Sequence, residues 1–265
     1  MTRPPAVAGT FYPADEQTLT RQIERCIDAD VEKQPCIAAI SPHAGYIYSG
    51  SIAGELFSSI TIPPTVIILA PDHRALPVPF ALSPADTWRT PLGEVEIDKE
   101  LGAAIAERLP SVKYDAAPHA HEHSAEVQVP FLQYFRPDVK IVPIVMSEHN
   151  YEPLVDLGSC IAECVRGTDT IIIASSDMTH FENADTAKQM DDLALEQVLK
   201  LDALALHRIV IINKISMCGF APSVAMITAA VKLGAKNAQL VRYGNSGDVT
   251  GDFSSVVGYA AVRIY

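Results

Sequence analysis

The sequence predicts a single α/β domain, built on one central mixed or mostly parallel sheet flanked by helices. Three observations carry this. Short, nearly continuous apolar runs alternate with stretches of helical length, the pattern of strands buried on both faces. The 265 residues suit one large domain, and no linker divides 1–265. Hydrophobic residues make up 48% and charged residues 20%, a globular balance that excludes a disordered or fibrous chain.

The elements follow in order. Cys36–Ser41 reads as a short apolar strand ending at Pro42-His43, and Gly50–Ile60 as the helix after it. Thr65–Ala70 is a second buried strand, ending at Pro71-Asp72-His73, and Val78–Ser83 a third. Asp98–Arg108 is a helix with Asp98 as its N-cap. Val139–Met146 and Thr170–Ser175 are further strands, with a helix over Tyr151–Arg166 between them. Three helices follow, Ala184–Leu201, Asp202–Asn213 and Pro222–Leu233. The last has Pro222 in its first turn and Gly234 just past its end, the usual asymmetry. Strands near Ala238–Tyr243 and Ser255–Ile264 finish the chain. Ser111–His123 reads as a loop long enough to suggest function.

Charge and cysteine content narrow the function classes. A net charge of −12 repels phosphate backbones, and no run of Lys or Arg offsets it, so no nucleic-acid partner is expected. The N-terminal segment lacks an apolar signal core, and no stretch approaches the roughly 20 apolar residues of a membrane span. The five cysteines are odd in number and contain no CxxC, which fits a reduced, cytoplasmic protein. Cys160 and Cys164 share a helix face and read as small buried residues.

The chemistry is expected at the strand ends. His43, His73 and His180 each follow a buried strand within a few residues. In open α/β sheets ligands bind at the carboxyl ends of strands, so three such histidines converge if the strands run parallel. Neutral imidazole is the commonest protein metal ligand and suits iron, copper or zinc. Cys218 precedes a helix, where a lowered thiol pKa would favour a thiolate ligand. The residues alone leave open whether it is a ligand or an inert buried thiol. Of His119, His121 and His123, only His123, beside the helix start expected near Ser124, is assigned to the crevice. The other two read as a polar surface loop. His149 and His207 receive no role. Tyr46 and Tyr48 adjoin His43 and are candidates to line a pocket, as is Phe11 near the N-terminus. The Gly-rich piece Tyr243–Asp252 carries too much Asp to cradle phosphate and reads as a turn-rich loop.

Several strings together are family signatures. Ala8-Gly9-Thr10-Phe11-Tyr12, Pro42-His43-Ala44-Gly45-Tyr46-Ile47-Tyr48-Ser49-Gly50, Pro71-Asp72-His73, Glu122-His123-Ser124-Ala125-Glu126, Ser175-Ser176-Asp177 with His180, and Cys218-Gly219 occur in the order found in the Memo family. Arg89-Thr90-Pro91-Leu92-Gly93 falls between them in the same order. Over essentially its whole length the chain resembles that family, whose prokaryotic members are called AmmeMemoRadiSam system protein B. The resemblance implies a fold like that of the class III extradiol dioxygenases. It implies His43, His73 and Cys218 as metal ligands, His180 as general acid/base, His123 as a further site histidine and Asp177 as a group orienting His180 or a water. Phe11 and Tyr48 become candidate substrate-binding residues. A thiolate in place of the dioxygenases' carboxylate shifts preference towards copper or zinc relative to iron and puts an oxidisable sulfur beside the metal.

Two functions are therefore expected to compete. One is a non-heme iron or copper redox enzyme acting on a small substrate. The other is a non-catalytic protein that holds a metal or a peptide in the same cleft, as the family's signalling members are described to do. The prokaryotic family name adds an AMMECR-like protein and a radical SAM enzyme as expected partners.

Overall fold

The computed structural model describes residues 1–28 and 30–265. Among them the strands are β1 (Thr2–Arg3), β2 (Ala38–Ser41), β3 (Thr65–Pro71), β4 (Phe80–Leu82), β5 (Thr87–Thr90), β6 (Gly93–Ile97), β7 (Val112–Tyr114), β8 (Lys140–Met146), β9 (Thr170–Ser175), β10 (His180–Glu182), β11 (Ala238–Asn245) and β12 (Val256–Ile264). The helices are α1 (Glu16–Cys26), α2 (Tyr46–Ser59), α3 (Lys99–Arg108), α4 (Ala117–Ala120), α5 (Val129–Phe135), α6 (Tyr151–Val165), α7 (Ala184–Leu199), α8 (Ala203–Asn213), α9 (Phe220–Leu233) and α10 (Gly247–Thr250). No helix among the described residues is long and apolar enough to cross a membrane.

One mixed sheet runs in the order β1-β5-β6-β8-β3-β9-β2-β12-β10, with β11 paired to β12 and β4 to β7 and β8. Its centre is parallel: β6, β8, β3, β9 and β2 all point the same way. Side chains alternate between two cores. Ile67 and Leu69 of β3 face the layer of α3, α6, α7, α8 and α9, whereas Val66, Ile68 and Ala70 face α1, α2 and α5. Both faces are covered, which is why these strands read as unbroken apolar runs.

The register decides where chemistry can happen. Ser41 pairs with Ser175 and Leu69 with Ala174, so β2, β9 and β3 end side by side. The loops carrying His43, Asp177 and His73 therefore leave the sheet at one edge.

Differences from the sequence reading have local causes. α2 begins four residues before the expected Gly50, because Tyr46 N–H donates to Phe11 O and Tyr48 and Ser49 already close turns onto Gly45. α1 lies in a stretch left unassigned, although Asp15 caps it through Thr18 N–H and Leu19 and Ile23 bury its apolar face. The 111–123 segment holds β7 and α4 rather than a continuous loop. The expected helix near Ser124 starts as a 3₁₀ turn at Glu126–Gln128 and becomes α5. The Tyr243–Asp252 loop is the end of β11 followed by α10.

Gly219 sits where the start of α9 meets the end of β9. A Cβ there would lie 2.3 Å from both Ser175 O and Ser176 Cβ. Gly234, in contrast, caps the far end of α9 at φ 104° with open space around it. Gly219→Ala is expected to cost about 3 kcal/mol through overpacking against immobile backbone. Gly234→Ala is expected to cost about 1 kcal/mol through left-handed strain alone. Denaturant unfolding of the two variants checks the order, and equal losses would contradict the close packing.

Candidate metal centre

His43 lies just past β2, with its side chain 2% exposed. Its backbone N–H donates to Asp177 Oδ1 at 2.7 Å, linking the loop after β2 to the loop after β9. Its Nδ1 lies 2.9 Å from Ser175 Oγ. That hydroxyl donates its one proton to Ser124 O at 2.7 Å and accepts from Gln128 Nε2 at 2.9 Å. Towards His43 it can only accept, so Nδ1 carries the hydrogen. The lone pair is then on Nε2, which faces Cys218 Sγ at 3.1 Å.

His73 is held by a different acceptor with the same outcome. Its Nδ1 donates to Glu122 Oε1 at 2.9 Å and its backbone N–H to Glu122 Oε2 at 2.8 Å, which leaves Nε2 free. Glu122 Oε1 also accepts from the backbone N–H groups of His123 and Ser124, each at 2.9 Å, and lies 3.2 Å from His123 Nδ1. Ser124 Oγ donates to Pro71 O, tying this loop to the end of β3. His180 repeats the pattern once more, with Nδ1 donating to Ser216 O at 3.0 Å and the backbone N–H to Ser216 Oγ.

The rings gather as this anchoring requires. Ring centroids are 5.3 Å apart for His43 and His73, 5.4 Å for His43 and His123, and 4.7 Å for His73 and His123. His43, His73 and Cys218 each offer one donor atom, all within 4.8 Å of one another. His73, Glu122 and His123 satisfy the same distance test. Glu122 is the weaker ligand candidate, because Oε1 is already filled by N–H donors and Oε2 is held by the His73 backbone. Its place is behind the histidines, orienting them.

Electrostatics favours a cation among these groups. Burial, then the neighbouring His123 and His73 rings, pushes His43 far below the ordinary imidazole range, so it is neutral. Burial opposes protonation of His73, but the hydrogen bond and charge of Glu122 outweigh it and raise its pKa. Burial would raise Glu122, yet the hydrogen bonds from His123 and His73 hold it far below the usual carboxylate range. Burial also raises Asp177. The Cys218 thiol is pushed well up by burial and then by the charge of Asp177, the opposite of the lowering expected from a helix N-terminus. Desolvation beside a carboxylate outweighs the partial charge of a helix end. A cation between the thiol and the two histidines would restore the thiolate, and two neutral imidazoles with a soft sulfur are a coherent donor set for it.

The remaining site candidates separate. The Phe11 ring packs 4.5 Å from His123, and Tyr48 is 37% exposed on the first turn of α2. Tyr46 is core, not pocket: it packs on Tyr12 and Phe131, and its hydroxyl donates to Val127 O. Charge on His180 acts on both His43 and Asp177. The surface-loop expectation for His119 fails. It is 2% exposed, its Nε2 donates to Ala81 O at 3.0 Å, and its ring meets Trp88 edge-on. His121 is exposed, and its carbonyl accepts from Arg74. His207 donates to His149 O beside Phe220.

Two buried groups that sequence reasoning left without a role hold the site together. Glu122 is one. Glu126 is the other: it accepts from Arg3 at 2.5 Å, from Tyr12 Oη at 2.6 Å, and from the backbone of Ala6 and Val7. Arg3 also donates to the carbonyls of His119 and Glu122. The N-terminal segment is thereby clamped to the loop that carries His123. The available signal was that both carboxylates sit in the same motif as His123, in a stretch with no solvated charge run.

A family model described as Memo-like protein matches residues 3–263. The chain belongs to the Memo family. A MEMO1 family protein of Methanosarcina acetivorans is 41% identical over 99% of this chain and 98% of its own length. A MEMO1 family protein of Aquifex aeolicus is 42% identical, with 97% of each chain covered. Among solved structures, an uncharacterized protein from Escherichia coli K12 superposes with a TM-score of 0.59 at 12% identity, over 86% of this chain and 99% of that one. That likeness shows the fold alone.

The buried His119 sets one pH prediction. Burial and then the charge of Arg3 lower its pKa to about 4, while the unfolded chain keeps the ordinary value near 6.5. Above both values the group adds no pH dependence. Between them the unfolded state binds the proton and the folded state does not. Stability therefore falls by about 3 kcal/mol as pH drops from about 6.5 to about 4. Urea melts across that window check it. His119→Gln keeps a donor for Ala81 O and should flatten the slope, whereas an unchanged slope would contradict the assignment.

Proposed function

We propose that this Memo-family protein is a metal-binding redox protein, with His43 Nε2, His73 Nε2 and Cys218 Sγ holding iron or copper. Zinc suits the same donor atoms. The observation that carries the reading is the surplus of proton-handling groups: the His123 ring and the Asp177 carboxylate lie against His43 without being needed as ligands, and His180 follows Asp177 in the same loop after β9. The metal would supply redox and Lewis-acid chemistry towards a small substrate. Ser175 and Glu122 fix the ligand tautomers. His180, anchored at Nδ1, offers Nε2 to accept or return a proton, and His123 offers a second acceptor backed by Glu122. Asp177 holds the loop of His43 and sits close enough to steady a polar substrate atom. Phe11 and Tyr48 would contact the substrate's apolar part.

A second reading uses the same cleft without turnover. Its support is the half-buried, soft Cys218 thiol, a donor suited to storing a soft metal and at risk of oxidation next to a turning-over centre. The exposed Tyr48 would then serve peptide recognition. On either reading an AMMECR-like protein and a radical SAM enzyme are proposed partners, on the family name alone.

Anaerobic titration with iron(II) and copper(I), followed by elemental analysis, tests the centre. Wild type should bind one metal per chain, and His43→Ala and Cys218→Ser should lose stoichiometric binding. Glu122→Gln should weaken affinity by about 10–100-fold through the second layer of hydrogen bonds. Wild type that takes up neither metal overturns the proposal. Tight binding with no oxygen consumption in the presence of reductant and small phenols would select the second reading.

A further inference from the structure

A cavity of about 300 Å³ lies on the far side of the loop that carries Glu122. Arg3, Ser83, Ala85, Ala116, His119 and Ala120 are among the residues that line it. Most of that wall is apolar, and two polar groups in it have unused capacity. His119 spends Nε2–H on Ala81 O, so Nδ1 carries a lone pair, and that buried atom has no hydrogen-bond partner among the described residues. Ser83 Oγ accepts from Trp88 Nε1 at 3.0 Å and from Ala85 N–H, but no acceptor takes its hydroxyl proton among the described residues. One wall group thus wants a donor and another wants an acceptor.

Charge is not what this cavity selects. The Arg3 guanidinium is committed to Glu126 and to the carbonyls of His119, Glu122 and Pro4, and it also covers the Trp88 ring at 4.1 Å. His119 is held neutral by burial. The Met1 ammonium on the wall is likewise paired, with Asp86, so among the described residues an anion would find no unpaired permanent cation here, and a cation no carboxylate on the wall. We infer that the cavity walled by Ser83, His119 and the Ala116–Ala120 turn is a second binding site, separate from the metal centre, for a neutral small molecule bearing a hydroxyl. The hydroxyl accepts from Ser83 and, with a small shift of the wall that covers His119 Nδ1, donates to that nitrogen, and the apolar remainder fills the space against the alanines. The volume is that of a small ligand pocket. The carbonyls of His119 and Glu122, both held by Arg3, connect this cavity to the loop that orients His73.

The chain's single tryptophan, Trp88, reports on the site directly, since it bonds Ser83 and its ring lies 5.7 Å from that of His119. Phenol is the probe, with toluene as its hydroxyl-free twin and benzoate as its anionic counterpart. Phenol should shift Trp88 emission saturably and bind about tenfold tighter than toluene, the ratio one hydrogen bond supplies. Benzoate should bind more weakly than phenol. Ala120→Phe and Ala116→Leu fill the cavity from exposed positions and should abolish the response. Cys218→Ser, altering only the metal centre, should leave it intact. Absence of a saturable response, equal binding of toluene or benzoate, or a response that survives both cavity-filling variants or vanishes in Cys218→Ser would each overturn the inference.

Discussion

The site depends on one buried carboxylate. Glu122 is 1% exposed and takes hydrogen bonds from the backbone N–H groups of His73, His123 and Ser124 and from the His73 ring. An ionised group so deep in the protein is tolerable only because four N–H donors share its charge. That requirement runs both ways. The carboxylate needs those donors, and the donors are thereby held in one arrangement at the end of β3. Ser175 does the same for His43 with a neutral oxygen, through the register that sets β2 beside β9. Each imidazole is fixed by its Nδ1, so each presents Nε2 to a shared space.

The arrangement also accounts for what the thiol does. Cys218 reaches His43 because Gly219 lets the start of α9 press onto Ser175 and Ser176. Two acidic groups, a thiol raised by burial and neutral His43 share one cleft with His73, whose proton Glu122 favours. On the proposed reading a metal cation would take the place of that proton among these donors, and the spare histidines would handle protons beside that metal.

Much of this was legible in the sequence because it is local. Thr170–Ser175 is a strand from end to end as read, since an unbroken β-branched run has few alternatives. The cap at Asp98 and the Pro222/Gly234 pair also appear in place. The clustering of His43, His73 and Cys218 follows from strand ends and family motifs. What escaped is non-local. Glu122 meets His73 across 49 positions and Glu126 meets Arg3 across 123, so neither partner shows in a window. Tyr46 looked like a pocket residue because it adjoins His43. Tyr48, two positions on, lies about 200° further round the helix, and which of the two faces the core is set by Phe131 and Tyr12. His119 was missed because its burial comes from Ala81 and Trp88, distant in the chain.

The account's central claim is that the protein fixes Nδ1 and frees Nε2 before any ligand arrives. Long-range ¹H–¹⁵N correlation of the imidazoles, on metal-free protein above the pH range where His73 titrates, reads this directly. The prediction is that His43, His73 and His180 are all Nδ1-protonated neutral tautomers. An Nε2-protonated ring at His43 or His73 would mean that the hydrogen-bond scaffold does not prepare the site, and would contradict the account.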